Sequence, residues 1–221
     1  MNAPSSRYRS VFAPGLFDGQ VIVVTGGGSG IGRCTAHELA ALGAQVVLVG
    51  RKPEKLEQVK AENGGAIVNI VADIWGSMPN MGHSGAARAG MVSFTETAVL
   101  EWAASGVRVN AVAPGYIASS GMDHYPPEAG GMLRAMRNTV PAGRFGNEAE
   151  TSAAIAFLLS PAASFISGSV LRVDGARPQV RMGWPMEIPD AQTQQRAAVR
   201  PFDGFHLAQT PRVFRNDEPN D

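Results

Sequence analysis

The chain is poor in the residues that build several common sites. Its 221 residues include one cysteine, Cys34, which excludes disulfide scaffolding and cysteine zinc sites within one chain. The four histidines, His37, His83, His124 and His206, are scattered without metal-ligand spacing, so no metal is implied. No apolar run is long enough to span a bilayer, and Met1 to Ser10 lacks the apolar core of a signal peptide. The expected location is cytoplasmic, with no membrane partner. Nineteen basic and nineteen acidic residues cancel without a block of one sign, which leaves no electrostatic pull towards nucleic acid. A small-molecule substrate is the expected partner.

Against these absences stands one dense stretch, Val21 to Gly32. Val21 to Val24 is a β-branched run of the kind expected for a strand buried on both faces of a parallel sheet. Gly26, Gly30 and Gly32 follow in the pattern Gly-x-x-x-Gly-x-Gly, and from Ile31 the spacing is helical. Strand, glycine turn and helix in that order suit a phosphate. Glycines let the backbone approach a pyrophosphate without a Cβ in the way, while the free N–H groups and positive dipole end of the helix face the anion.

Taken in order, Phe12, Leu16 and Phe17 are expected to anchor an irregular N-terminal segment. The first helix should run from Ile31 to about Leu42, burying Ile31, Thr35, Leu39 and Leu42, with Cys34 as a packing residue. Strands follow at Gln45–Val49, Ala66–Val71, Val107–Val112 and Val170–Val173, with a helix expected from Pro53 to Glu62. The spacing predicts a long helix from Ser84 to about Ala104 with a core stripe of Met91, Phe94, Ala98 and Trp102. Residues 116–145 read as a long loop with a short helix near Met132 to Arg137, and Asn147 as the cap of a further helix. The tail carries isolated aromatics at Trp184, Phe202, Phe205 and Phe214, which argue that part of it docks. Strand and helix alternate as in a doubly wound α/β sheet, whose ligands bind outside the carboxyl ends of the strands.

Four signatures then fall in sequence: Thr25–Gly32, Ile67-Val68-Asn69-Ile70, Arg108–Gly115 and Val173-Asp174-Gly175. Together they resemble the short-chain dehydrogenase/reductase family over residues 20–177. The resemblance implies a three-layer Rossmann-like doubly wound parallel sheet, here reduced to about five strands. It divides the chain into a dinucleotide-binding domain, residues 1–177, and an irregular C-terminal tail, residues 178–221. It also implies a nicotinamide cofactor and hydride transfer to or from a carbonyl, an alcohol or an enoyl thioester. On the matching positions the cofactor contacts would be Gly26, Ser29, Gly30, Ile31, Gly32, Arg51, Arg88, Pro114, Gly115 and Ile117. Arg51 stands where a basic residue meets a ribose 2′-phosphate, which favours NADP(H) over NAD(H).

Two departures separate this chain from the family pattern. The Tyr-x-x-x-Lys pair falls at Ser84 to Arg88, and a serine hydroxyl is too weak an acid to replace the tyrosine. Ser84, Arg88, Asp73 and His83 are therefore the catalytic candidates. Loss of the tyrosine is similar to the dienoyl-coenzyme-A reductase branch. Gly85-Ala86-Ala87-Arg88-Ala89-Gly90 and Arg200-Pro201-Phe202-Asp203-Gly204-Phe205-His206 resemble bacterial citronellol-catabolism dehydrogenases. The second departure is a gap, because the helix ending at Glu62 runs straight into the strand at Ala66. Two βα units of about 30 residues each are missing there.

A closed sheet would bring Ala66–Val71 against Val21–Val24, in the order second, first, third, fourth, fifth. With one of two pairing helices lost and Val92, Val99 and Ala103 left partly exposed, a weakened homo-oligomer is expected. A second reading stays open, that of a non-catalytic nucleotide-binding remnant or interaction module.

Overall fold

The computed structural model describes residues 10–26, 30–49, 65–119, 122, 125–126 and 129–177. The expected helix at Pro53–Glu62 and the docking of the tail lie outside them. In chain order the elements are β1 (Val21–Thr25), α1 (Gly30–Ala41), β2 (Gln45–Val49) and β3 (Gly65–Ile70). Then come α2 (Gly82–Trp102), β4 (Val107–Pro114), β5 (Ile117–Ala118) and α3 (Gly130–Arg137). β6 (Gly146–Asn147), α4 (Glu148–Leu159) and β7 (Val170–Val173) complete the described part.

β1 and β2 pair in parallel, Val21 opposite Gln45 through Thr25 opposite Val49. α1 buries Cys34, Thr35, Ala36, Glu38 and Leu39, and Leu42 just beyond it is also buried. Phe17 is buried in the same cluster with Phe12 and Leu16 packed beside it, as the apolar N-terminal residues led one to expect. The turn after α1 requires its glycine. Gly43 has φ +96°, and a Cβ there would meet Asp18 Oδ1 at 1.8 Å.

The other strands form a separate parallel sheet in the order β3-β4-β7. β5 and β6 make a two-residue parallel pair at the edge of the long connection, an element the sequence reading did not contain. α3 falls where the helical spacing near Met132 to Arg137 placed it. α4 opens on a capping box. Asn147 Oδ1 accepts from the Glu150 N–H at 2.8 Å, while Glu150 Oε2 accepts from the Asn147 N–H at 2.9 Å. At the other end Arg108 donates to the carbonyls of Leu158, Leu159 and Ser160, satisfying the last turn.

The expected strand order is not what forms. No hydrogen bond joins β1 to β3, so the sheet is split into β1-β2 and β3-β4-β7 instead of closing over the gap. Val21 is 50% exposed and Ile67 and Ile70 are also exposed, so water can satisfy edge groups that burial would have orphaned. β1 is accordingly not buried on both faces; Val24 alone of its residues is buried. α4 joins the halves, with Ala156 in the cluster of Val24 and Leu39, and Ile155 and Leu158 in the cluster of Val112.

The long helix turns inward only half of the expected stripe, Ala98 and Trp102. Thr95 and Ala98 are buried in α2, and Val92, Val99 and Trp102 pack against the β4 cores. Met91 and Phe94 are exposed, contrary to the expected stripe, and Phe94 stacks edge-on against Trp102 at 5.8 Å. A polar link selects this face: Asn69 donates from β3 to Thr95 Oγ1 at 2.9 Å, and Thr95 in turn donates to the Met91 carbonyl. Hydrophobic periodicity alone could not see that bond.

Candidate functional site

The carboxyl end of β1 passes through Thr25 into Gly26 at φ +69°, and α1 starts at Gly30 at φ +53°. Both angles disfavour a side chain, so the glycine pattern is set by backbone conformation. A Cβ on Gly26 would meet nothing within 4 Å among the described residues. The first turn of α1 supplies N–H groups with no intrahelical partner. The start of α1 therefore suits an anionic pyrophosphate. Ser29 and Arg51 lie outside the described residues. Gly32 sits half-buried in the first turn, while Ile31 packs its side chain with Val112, Ile155 and Leu158, leaving its backbone N–H for a ligand.

A second group gathers at the carboxyl ends of β3 and β4. Val71 N–H donates to the Val112 carbonyl at 2.9 Å and Asp73 N–H to the Pro114 carbonyl at 3.3 Å, which fixes Asp73 at the sheet edge. Asp73 Oδ1 is buried and has no hydrogen-bond partner among the described residues. His83, Ser84 and Arg88 ride on the first two turns of α2, His83 and Arg88 exposed and Ser84 half-buried. Ser84 and Arg88 are one turn apart and so share a face. Among the described residues no side-chain hydrogen bond or ion pair joins Asp73, His83, Ser84 and Arg88 to one another.

The remaining candidates have structural duties. Gly115 N–H donates to the Val173 carbonyl at 2.9 Å, and a Cβ on Gly115 would stand 2.8 Å from Asp174 Cα. Close approach of β4 to β7 is thus sufficient reason for that glycine. Pro114 is buried at the end of β4. Ile117 lies half-buried in β5, its Cδ1 2.8 Å from where a Cβ on Gly146 would be.

Arg144 and Arg172 are charged residues near the strand ends that no motif in the sequence singles out. Arg144 holds Glu150 through two bonds of 2.9 and 2.6 Å, and Arg172 stands 5.4 Å over the Trp75 ring and 3.7 Å from Asp174 Oδ2. Arg144, Glu150, Arg172 and Asp174 line a cavity with Tyr116, whose ring packs edge-on against Phe145. Arg172 lies on β7 and Asp174 immediately follows that strand. Glu148 is the first residue of α4. It is buried, and its Oε1 lies 3.9 Å from where a Cβ on Gly30 would stand.

Two buried titratable groups flank this region. Burial, then the nearby Glu148 charge, pushes the Cys34 thiol up to about 12, with Ser152 pulling the other way. An inert thiol is what the packing role of Cys34 calls for. Burial also pushes Glu38 up to about 7, and its carboxylate accepts from Ser10 Oγ.

Comparison with known proteins bears on the same segments. A family profile described as "Enoyl-(Acyl carrier protein) reductase" matches residues 59–176, and one described as "short chain dehydrogenase" matches residues 20–74. A probable 2,4-dienoyl-CoA reductase of Bacillus subtilis is 40% identical over 115 residues, 51% of this chain and 45% of that protein. The chain spans about half the length of the curated relatives it matches in this way. A galactitol 2-dehydrogenase of Cereibacter sphaeroides is 28% identical over 251 residues, covering 97% of that protein but 76% of this chain. That alignment is longer than this chain, so the galactitol dehydrogenase carries residues with no counterpart here. Among solved structures, the citronellol catabolism dehydrogenase of Pseudomonas aeruginosa PAO1 is 43% identical with a TM-score of 0.63, covering 78% of this chain and 100% of that one.

Proposed function

Because the chain belongs to the short-chain dehydrogenase/reductase family, we propose that it is an NADP(H)-dependent oxidoreductase acting on a carbonyl, an alcohol or an enoyl thioester. The observation that carries this reading is the strand, glycine turn and helix N-terminus at Val21–Gly32, with Gly26 and Gly30 both at positive φ. When bound, the cofactor would supply or accept the hydride. Gly26, Ser29, Gly30, Ile31 and Gly32 would hold its pyrophosphate through the backbone and the helix dipole. Arg51 would meet the 2′-phosphate, a charge-assisted contact worth roughly 1.5–3 kcal/mol. Arg88, Pro114, Gly115 and Ile117 are proposed for the nicotinamide end.

Ser84 would orient a substrate oxygen, with Asp73 and His83 as the nearby groups able to carry a proton. Ser84 in place of the family's tyrosine predicts slow carbonyl reduction, since a positioned general acid contributes ~100- to 10,000-fold. The dehydrogenases and reductases among the relatives favour this enzymatic reading over an interaction module. A cytoplasmic location and a weak homo-oligomer through the exposed face of α2 belong to the same proposal. No helix among the described residues is long and apolar enough to cross a membrane.

Titrating NADPH and NADH against the purified chain by nicotinamide fluorescence tests the proposal. NADPH is expected to bind more tightly, and Arg51→Ala to remove the preference. Equal affinity for the two in the unaltered protein would sink the cofactor assignment.

A further inference from the structure

α1 and α4 lie side by side in the same direction. Their first residues, Gly30 and Glu148, are neighbours, and eight residues further on Ala156 packs in the cluster of Ala36 and Leu39. Two helix N-termini therefore end together, and their partial positive charges add at the start of α1. An anion is already built into that place. Glu148 is 9% exposed, and its Oε1 comes 3.9 Å from the position of a Cβ on Gly30. Its charge reaches one turn further along α1, where it is the second cause, after burial, of the raised Cys34 thiol. A carboxylate shielded from water acts over such distances with little screening.

We propose that Glu148 sets the cofactor affinity of this chain: its carboxylate takes up the positive field at the start of α1 and opposes the pyrophosphate of the dinucleotide. The inference rests on the reading of the glycine turn as the NADP(H) site. Glu148 favours the start of its own helix, as acidic residues in a first turn do, so the same charge stabilises α4 and weakens the ligand. Replacing it by a neutral side chain of similar shape should therefore tighten binding while lowering thermal stability by a few degrees.

The test is an NADPH fluorescence titration of the full chain and of Glu148→Gln, with inorganic pyrophosphate as competitor and circular dichroism to confirm folding. Glu148→Thr serves as the second neutral variant should glutamine disturb the seam. A Kd for NADPH lower by about tenfold, equivalent to 1.4 kcal/mol, with a parallel gain for pyrophosphate, is the expected result. Folded neutral variants that bind NADPH no more tightly than the unaltered chain would overturn the role of Glu148 and leave the cofactor site standing. Absence of NADPH binding in every folded variant would overturn the cofactor reading and this inference with it.

Discussion

The two halves of the sheet differ in what holds them and in what they carry. β1, α1 and β2 form one unit: a parallel pair, a helix packed over it, and Gly26 and Gly30 at positive φ between strand and helix. The β3-β4-β7 half is equally well paired, yet the candidate reacting groups at its edge are exposed or lack side-chain partners. The binding end is thus built into local structure, whereas the reacting end is left to loops and to the first turns of α2. Among the described residues no strand hydrogen-bonds one half to the other, and α4 links them through Ala156, Ile155 and Leu158. Under the proposed oxidoreductase function their relative placement decides whether a hydride donor and acceptor meet, and a 1 Å misplacement can cost ~100-fold. In a chain split this way, affinity and turnover should respond to different residues.

The most direct way to break the contrast is to cut the helix that joins the halves. Leu158 is buried against Val112, and Leu158→Ala should destabilise the fold by about 2–5 kcal/mol through lost burial and a residual cavity. Urea denaturation would register the loss. A change below 0.5 kcal/mol would mean that α4 does not hold the halves together.

A second test sharpens the comparison by acting on the binding half alone. Burial raises Glu38 in the folded chain to about 7 from an ordinary 4.5, so the folded state favours the protonated form. Stability from this group is fully present below pH 4.5 and is lost as pH rises through 7, because ionisation is easier once unfolded. Glu38→Gln keeps an acceptor for Ser10 and removes that cost. The variant should gain up to about 3 kcal/mol relative to the unaltered chain at pH 8 and close to nothing at pH 4. Equal gains at both pH values would refute the titration.

How far the sequence was legible follows the same division. Val21–Thr25, the glycines, α1 and the capping of α4 by Asn147 are written in local chemistry: β-branching, positive φ, helical spacing and a side-chain cap. The register of α2 is not, because the bond from Asn69 to Thr95 links residues 26 positions apart and outweighs the larger apolar residues Met91 and Phe94. The split sheet was also illegible. The sequence shows that a segment is missing but not whether neighbouring strands move into its place, which depends on how firmly α4 and α1 hold each half. At the candidate site, Gly26 and Gly30 were readable from spacing, whereas Glu148 required knowing that two helix starts lie together. Arg144, Arg172 and Asp174 acquire meaning only once β7 is set beside the β4 end.

The cap offers a smaller perturbation on the joining helix. Asn147→Ala removes the acceptor for the Glu150 N–H and should cost about 0.5–2 kcal/mol, with helix loss confined to the start of α4. Hydrogen exchange of the Glu150 and Thr151 amides would show it. Unchanged protection there would mean that the bond from Glu150 back to Asn147 suffices.

The smallest effect on folding should come from the outer face of α2, and it separates self-association from stability. Leu100 is 82% exposed, and exposed Phe94 lies on the same helix. The face buried against β4 runs instead through Thr95, Ala98 and Val99. Removing apolar surface from an exposed position changes no core contact, so Leu100→Glu should leave stability within about 0.5 kcal/mol. The same substitution places a charge in any apolar contact between two copies of the helix, where a buried unpaired carboxylate is costly. Sedimentation velocity should therefore show concentration-dependent association for the unaltered chain and a monomer for the variant, at equal melting temperatures. Identical association in both would move the contact away from α2, and a tight monodisperse dimer in both would overturn the weak assembly proposed here.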